Sequence, residues 1–139
     1  MKTELILATH GNFAKGILDS LQMIAGIQED ITTICAYTEK NVDYSRVFEE
    51  ELKKHDDRQS RLLIITDLLG GSVNNEFMKL QELYPFTLIA GLNLSLLLEL
   101  ALSRFELTDD KIKEIVERNK EYIVICHDHM LSCADDSDF

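Results

Sequence analysis

The sequence is poor in proline, cysteine and clustered basic residues, and each shortage excludes something. Pro85 is the single proline, and no stretch is rich in proline, glycine or serine. No interdomain linker and no internal repeat can therefore be marked. A chain of 139 residues then reads as one domain with one sizeable core. The cysteines are three, Cys35, Cys126 and Cys133. An odd count without a CxxC pair excludes a disulfide framework and leaves free thiols as the expectation. Lysine and arginine are nowhere clustered, which excludes nucleic acid as a partner and disfavours an anionic lipid surface. No apolar run reaches the roughly 18–20 residues that span a bilayer. The densest, "LIAGLNLSLLLELAL" at 88–102, is interrupted by Glu99. Lys2 and Glu4 flank only a short apolar run, so no signal-peptide pattern is present and a cytoplasmic protein is expected.

What is abundant is negative charge. Twenty-five acidic residues against 14 basic ones give a formal net charge of −11. Such a surface suits docking onto a basic protein, and serves solubility equally well. The hydrophobic share of 45% is that of an ordinary globular domain.

Apolar runs of strand length alternate with helical periodicity along the whole chain. Strands are expected at Leu5–Thr9, Ile31–Ala36, 61–67, 87–91 and 122–126. Between them, Phe13, Ile17, Leu21 and Ile24 recur at helical spacing, with Gly26 as a C-terminal cap. Asn41 or Asp43 can cap a second helix that places Tyr44, Val47, Phe48 and Leu52 on one face. Ser72 is a good N-cap for a third, with Val73, Phe77, Leu80 and Tyr84 on one stripe. A helix over Ser95–Phe105 is apolar nearly all round, which marks the core or a subunit interface. Thr108 caps a fifth, with Ile112, Ile115 and Val116 inward. The βαβα order predicts an α/β fold: a mostly parallel sheet in the flavodoxin-like order, with helices on both faces. In that order the first and third strands are neighbours, and ligands gather at their carboxyl ends.

With that strand order assumed, the topology would bring His10, which ends strand 1, beside Asp67, which ends strand 3. An Nδ1–H donated to the carboxylate would fix the tautomer and leave the Nε2 lone pair facing outward as a nucleophile or base. "DLLGGSVN" at 67–74 adds Gly70, Gly71 and Ser72. Open backbone N–H groups on the glycines, together with a helix N-terminus, would form an anion site for a phosphoryl group carried on His10. No lysine follows the glycines and no GxGxxG occurs, so no nucleotide or other cofactor is expected. Each feature also has a plain structural reading: a histidine at a strand end, a turn with its cap, an aspartate closing a strand. A hydrolase would need Ser72 as the third member of a triad. Cys126, His127, Asp128, His129 and Cys133 have metal-ligating chemistry, but their spacing fits no usual zinc pattern, and no metal is expected. His55, in "KKHDDR", reads as a solvated helix end.

"ATHGNFAKGILDSLQMIAG" (8–26), "DLLGGSVNN" (67–75) and "IAGLNLSLLLEL" (89–100) resemble the enzyme IIA domain of the mannose family of the bacterial sugar phosphotransferase system. The resemblance covers about residues 3–126. It implies a domain over 1–126; residues 127–139 beyond it read from their own composition as a loosely ordered acidic tail. It implies a phosphotransferase without a cofactor, in which His10 accepts a phosphoryl group from the phosphocarrier HPr. His10 then passes the group to a histidine of a IIB subunit. Asp67 would orient the ring, and Ser72 would lie beside the phosphate. Members are homodimers, and a C-terminal antiparallel strand, here 122–126, is exchanged between subunits. The membrane would be met only through the permease complex, whose subunits select the sugar. Two positions depart from the family pattern. Val73 stands where GGSPFN has proline, and Ser95 where GxNLPML has proline, so both helix starts lose a pre-set N1 residue.

Two rivals remain open. The phosphoryl-donor subunit of a dihydroxyacetone kinase uses a related domain and differs in its partner. A non-catalytic regulatory module would keep the fold and the dimer without the transfer.

Overall fold

The computed structural model describes residues 2–55 and 60–128. β1 (Thr3–His10) and β3 (Arg61–Thr66) carry apolar side chains on both faces, so both belong in the middle of a sheet. The sheet has four parallel strands in the order β2-β1-β3-β4, with β2 at Ile31–Ala36 and β4 at Thr87–Ala90. This is the expected flavodoxin-like order.

Alternate residues of the central strands feed two cores. Leu5, Leu7, Leu63 and Ile65 face α1 (Phe13–Ala25), α4 (Leu94–Leu102) and α5 (Asp109–Lys120). Ile6, Ala8, Leu62 and Ile64 face α2 (Tyr44–His55) and α3 (Ser72–Leu80). The Phe48 and Phe77 rings stack at 4.7 Å between centroids and join α2 to α3. Each fully buried Leu, Ile or Phe contributes roughly 1.5–3 kcal/mol, so the two central strands are firmly placed and their carboxyl ends with them.

Local signals set most of the boundaries. Thr108 accepts the Lys111 N–H at 3.1 Å, and Gly26 ends α1 at φ 83. Asp43 accepts the Arg46 N–H at 3.4 Å, whereas Asn41 lies in the preceding turn at φ 61. α4 begins at Leu94, where Asn93 caps by accepting the Leu96 N–H at 2.9 Å, and it ends at Leu102 rather than at Phe105. Its apolar faces are explained by burial of Leu96, Leu97, Leu100 and Ala101, while Glu99 pairs with Arg118 of α5 at 2.6 Å.

Several expectations are corrected. The N-cap of α3 is Gly71, so Ser72 is the first helical residue and its hydroxyl is released from capping. The helix stops at Leu80, and Tyr84 joins the same core from the following turn. The segment 122–126 forms no strand in this chain. It runs out from α5 without a ladder partner, leaves Ile123, Val124 and Ile125 exposed, and ends in a 3-10 turn at Cys126–Asp128. His55 is not solvated. Its side chain is 9% exposed and lies between Glu4 (3.0 Å) and Glu51 (3.2 Å). Most of the acidic tail, with His129 and Cys133, lies outside the described residues.

Candidate functional site

β1 carries His10 to the carboxyl edge of the sheet, and the next four residues are built to hold it there. The Gly11 N–H donates to Ala36 O at 2.9 Å, and Gly11 turns the chain at φ 59 toward α1. The Thr9 hydroxyl, fully buried, accepts the Ala14 N–H at 2.8 Å and so caps α1 from inside. Thr9 was not among the residues singled out in the sequence. Its signal was a threonine before a helix start, hidden by the more obvious Asn12, which makes no side-chain cap bond.

β3 brings Asp67 alongside. Its Oδ2 accepts the His10 backbone N–H at 2.8 Å and stands 3.0 Å from His10 Nδ1. A carboxylate only accepts, so Nδ1 carries the ring proton and Nε2 keeps its lone pair. Burial pushes the Asp67 carboxyl up. The hydrogen bonds from the His10 N–H and ring, with the attraction of the ring when it is protonated, outweigh it and hold the group below its ordinary value. Its second oxygen, Oδ1, is buried without a hydrogen-bond partner among the described residues. The His10 side chain remains 43% exposed.

Ser72 lies on the other side of the ring, with Oγ 3.2 Å from His10 Nε2. His10, Asp67 and Ser72 are thus brought together at one edge of the sheet. The two glycines behave differently from expectation. The Gly70 N–H donates to Asn74 Oδ1 at 3.2 Å and the Gly71 N–H to Leu68 O at 3.0 Å, so neither is open to a ligand. Among the described residues, the N–H groups without intrahelical partners are those of the first turn of α3, at Ser72, Val73 and Asn74. Gly70 serves the turn through φ 78, and Gly71 serves the ring through its lack of a side chain. A Cβ there would meet Leu68 O at 3.2 Å and His10 Cε1 at 3.4 Å.

Asn74 explains how the loop holds its shape with Val73 in the first turn of α3. Its buried side chain accepts from Gly70 and donates to Thr66 Oγ1 at 2.9 Å, while Asn75 Nδ2 donates to Gly70 O at 3.0 Å. Val73, now the second helical residue, is fully buried in the core. Ser95 is likewise the second residue of its helix, after the Asn93 cap. Both starts are thus secured by asparagine side chains.

Tyr37 completes the site and escaped the sequence reading. Its hydroxyl donates to Ser72 Oγ at 2.9 Å, and its ring lies 5.4 Å from the imidazole. The register pairs His10 with Ala36, so the residue after Ala36 is the one that reaches the histidine. That pairing is the only signal that could have found it. Tyr37 has φ 65, a left-handed conformation that costs a non-glycine residue roughly 1–2 kcal/mol.

The site is an open surface. A hollow of about 620 Å³ lies nearby on α1, lined by Asn12, Lys15 and Asp19, but it holds none of His10, Asp67 or Ser72. An exposed imidazole with an oriented proton suits a reaction with a group presented by another macromolecule. Phe13, Leu68 and Leu69, which follow His10 and Asp67 in the chain, are exposed and apolar. Among the described residues no cluster of His, Cys, Asp or Glu is arranged to hold a metal ion, and no helix is long and apolar enough to cross a membrane.

Residues 4–119 match the family model described as PTS system fructose IIA component. Three solved structures are similar across nearly the whole chain. A protein from Klebsiella pneumoniae, described as a phosphoenolpyruvate-dependent sugar phosphotransferase system (PTS) permease, is 43% identical, with a TM-score of 0.82. The match covers 91% of this chain and 93% of that one. The phosphotransferase system component EIIA from Streptococcus agalactiae is 34% identical with a TM-score of 0.77, covering 91% and 99%. The mannose/sorbose specific IIA subunit from Enterococcus faecalis is 29% identical with a TM-score of 0.77, covering 90% and 95%.

Proposed function

Because the chain belongs to the PTS system fructose IIA component family, we propose that it carries a phosphoryl group on His10 Nε2, taken from phospho-HPr and delivered to a IIB subunit of a sugar permease. One observation carries this reading: Asp67 Oδ2 stands 3.0 Å from His10 Nδ1, which supports a proton held there and Nε2, 3.2 Å from Ser72 Oγ, as the nucleophile.

The chemistry follows from that arrangement. The Nε2 lone pair attacks phosphorus as the donor's bond to phosphorus breaks. The Nδ1 proton stays on the ring, and the positive charge that develops there faces the Asp67 carboxylate. Ser72 and the positive end of the α3 dipole lie where the phosphoryl oxygens arrive. Nothing else need be supplied, since phosphoryl transfer is mostly positioning and charge stabilisation. Transfer to a histidine of the IIB subunit runs the same step in reverse. The acidic surface and the apolar residues Phe13, Leu68 and Leu69 offer a docking face for both partners.

The same reading makes the protein a homodimer. β4 is an edge strand, and an apolar hollow lined by Leu69, Leu88, Ile89 and Val116 borders it. The unpaired segment 122–126 has strand composition and exposed isoleucines. Antiparallel addition of that segment to β4 of a second subunit would bury both.

The test is to incubate the protein with phosphoenolpyruvate, enzyme I and HPr, then with a panel of IIB subunits and with dihydroxyacetone kinase subunits. The reading requires acid-labile phosphate on the protein and discharge onto a IIB subunit. No labelling would leave a regulatory module, and discharge onto the kinase subunits alone would make it their phosphoryl donor.

A further inference from the structure

Tyr37 belongs to no motif, yet its hydroxyl reaches Ser72 Oγ at 2.9 Å. We propose that Tyr37 is a positioning residue for phosphoryl transfer, holding Ser72 so that its hydroxyl donates first to His10 Nε2 and then to the phosphoryl group bound there. This rests on the phosphoryl-carrier reading.

The direction of each hydrogen bond follows from the acceptor at the end. Asp67 Oδ2 only accepts, so His10 Nδ1 donates to it. Nε2 is then an acceptor, and Ser72 Oγ, 3.2 Å away, donates to it. The Ser72 oxygen in turn accepts from Tyr37 at 2.9 Å. Tyr37, Ser72, His10 and Asp67 thus form one chain with every donor pointing the same way, and such chains reinforce each bond.

Phosphorylation changes one link. The Nε2–P bond uses the lone pair that Ser72 had addressed, while the donor's bond to phosphorus breaks and the Nδ1 proton stays in place. The Ser72 hydroxyl then needs a new acceptor, and the nearest is an oxygen of the phosphoryl group on that nitrogen. Tyr37 still occupies the Ser72 oxygen as a donor, so the serine proton stays free for the phosphoryl group. Without Tyr37 a serine hydroxyl at a helix start is free to rotate toward water.

The surrounding structure is built to hold Tyr37. The left-handed φ of 65 turns it back over the site immediately after β2. Tyr44 braces it edge-on at 5.3 Å, and the Tyr44 hydroxyl accepts the Glu39 N–H at 3.1 Å, closing the turn. Unfavourable backbone conformations persist where surrounding contacts over-determine them, and they concentrate at functional sites.

The test is a double-mutant cycle on the rate of transfer from phospho-HPr, with Tyr37→Phe, Ser72→Ala and the two combined. Phenylalanine keeps the ring and the fold and removes only the hydroxyl. Tyr37→Phe should slow transfer by roughly three- to tenfold, the worth of one hydrogen bond. The loss should fall on the rate constant and leave HPr affinity unchanged. In the Ser72→Ala background the Tyr37 change should have no further effect. Wild-type rates for Tyr37→Phe, or losses that simply multiply in the double variant, would overturn the proposal while leaving the carrier reading intact. Absence of labelling in the wild type would overturn both.

Discussion

Asp67 Oδ2 accepts two hydrogen bonds from one residue, the backbone N–H of His10 at 2.8 Å and its ring Nδ1 at 3.0 Å. The first fixes where the histidine sits and the second fixes which nitrogen holds the proton. Two strand ends far apart in sequence become one chemical unit because β1 and β3 are adjacent in the sheet.

Asp67→Asn keeps the size of the side chain and removes its charge. A charge-assisted hydrogen bond contributes about 1.5–3 kcal/mol, so transfer should slow by roughly 10- to 100-fold in a folded protein. Single-turnover labelling from phospho-HPr checks this. An unchanged rate would remove Asp67 from the mechanism.

The same carboxylate makes stability depend on pH. Its folded-state value lies below the ordinary 3.8. The charged form therefore favours the fold, the contribution is complete above the unfolded value, and it is lost as pH falls through the folded one. Urea midpoints of wild type and Asp67→Asn should differ by a constant amount above about pH 5 and converge below about pH 4.

The two loop glycines should separate stability from activity. Gly70→Ala places a side chain at φ 78 in open space, and should cost roughly 1 kcal/mol of stability with little effect on transfer. Gly71→Ala has an ordinary backbone, at φ −72, but its Cβ would crowd His10 Cε1. It should slow transfer more than it lowers the melting temperature. Thermal melts and labelling rates on both variants decide it.

Removing 122–139 should turn a dimer into a monomer by sedimentation velocity, because the exposed apolar segment is the proposed exchanged strand. A truncated protein that remains dimeric would place the interface elsewhere.

Periodicity in the chain made the parallel sheet legible, because buried strands leave unbroken apolar runs; the meeting of His10 with Asp67 also required the flavodoxin-like strand order to be assumed, and the structure supplies it. Side-chain chemistry that crosses elements was less visible. His55 reads as a solvated helix end until Glu4, 51 positions earlier on β1, comes within 3.0 Å. The glycine N–H groups read as open until the Asn74 side chain folds back onto Gly70. Ser72 reads as an N-cap, yet Gly71 takes that place and frees the hydroxyl for His10 and Tyr37. Tyr37 itself depends on a backbone conformation that no apolar pattern encodes. The segment 122–126 has strand composition, but a strand also needs a neighbour, and the described residues pair none with it.

The central claim is that Asp67 reserves Nδ1 for the proton and leaves Nε2 for the phosphoryl group. Nitrogen-15 and phosphorus NMR of the protein, labelled in its histidines and phosphorylated by phosphoenolpyruvate, enzyme I and HPr, tests it most directly. The account predicts a phosphohistidine at His10 with phosphorus coupled to Nε2 and the proton retained on Nδ1. Phosphorus on Nδ1, on another residue, or persisting in His10→Ala would contradict it.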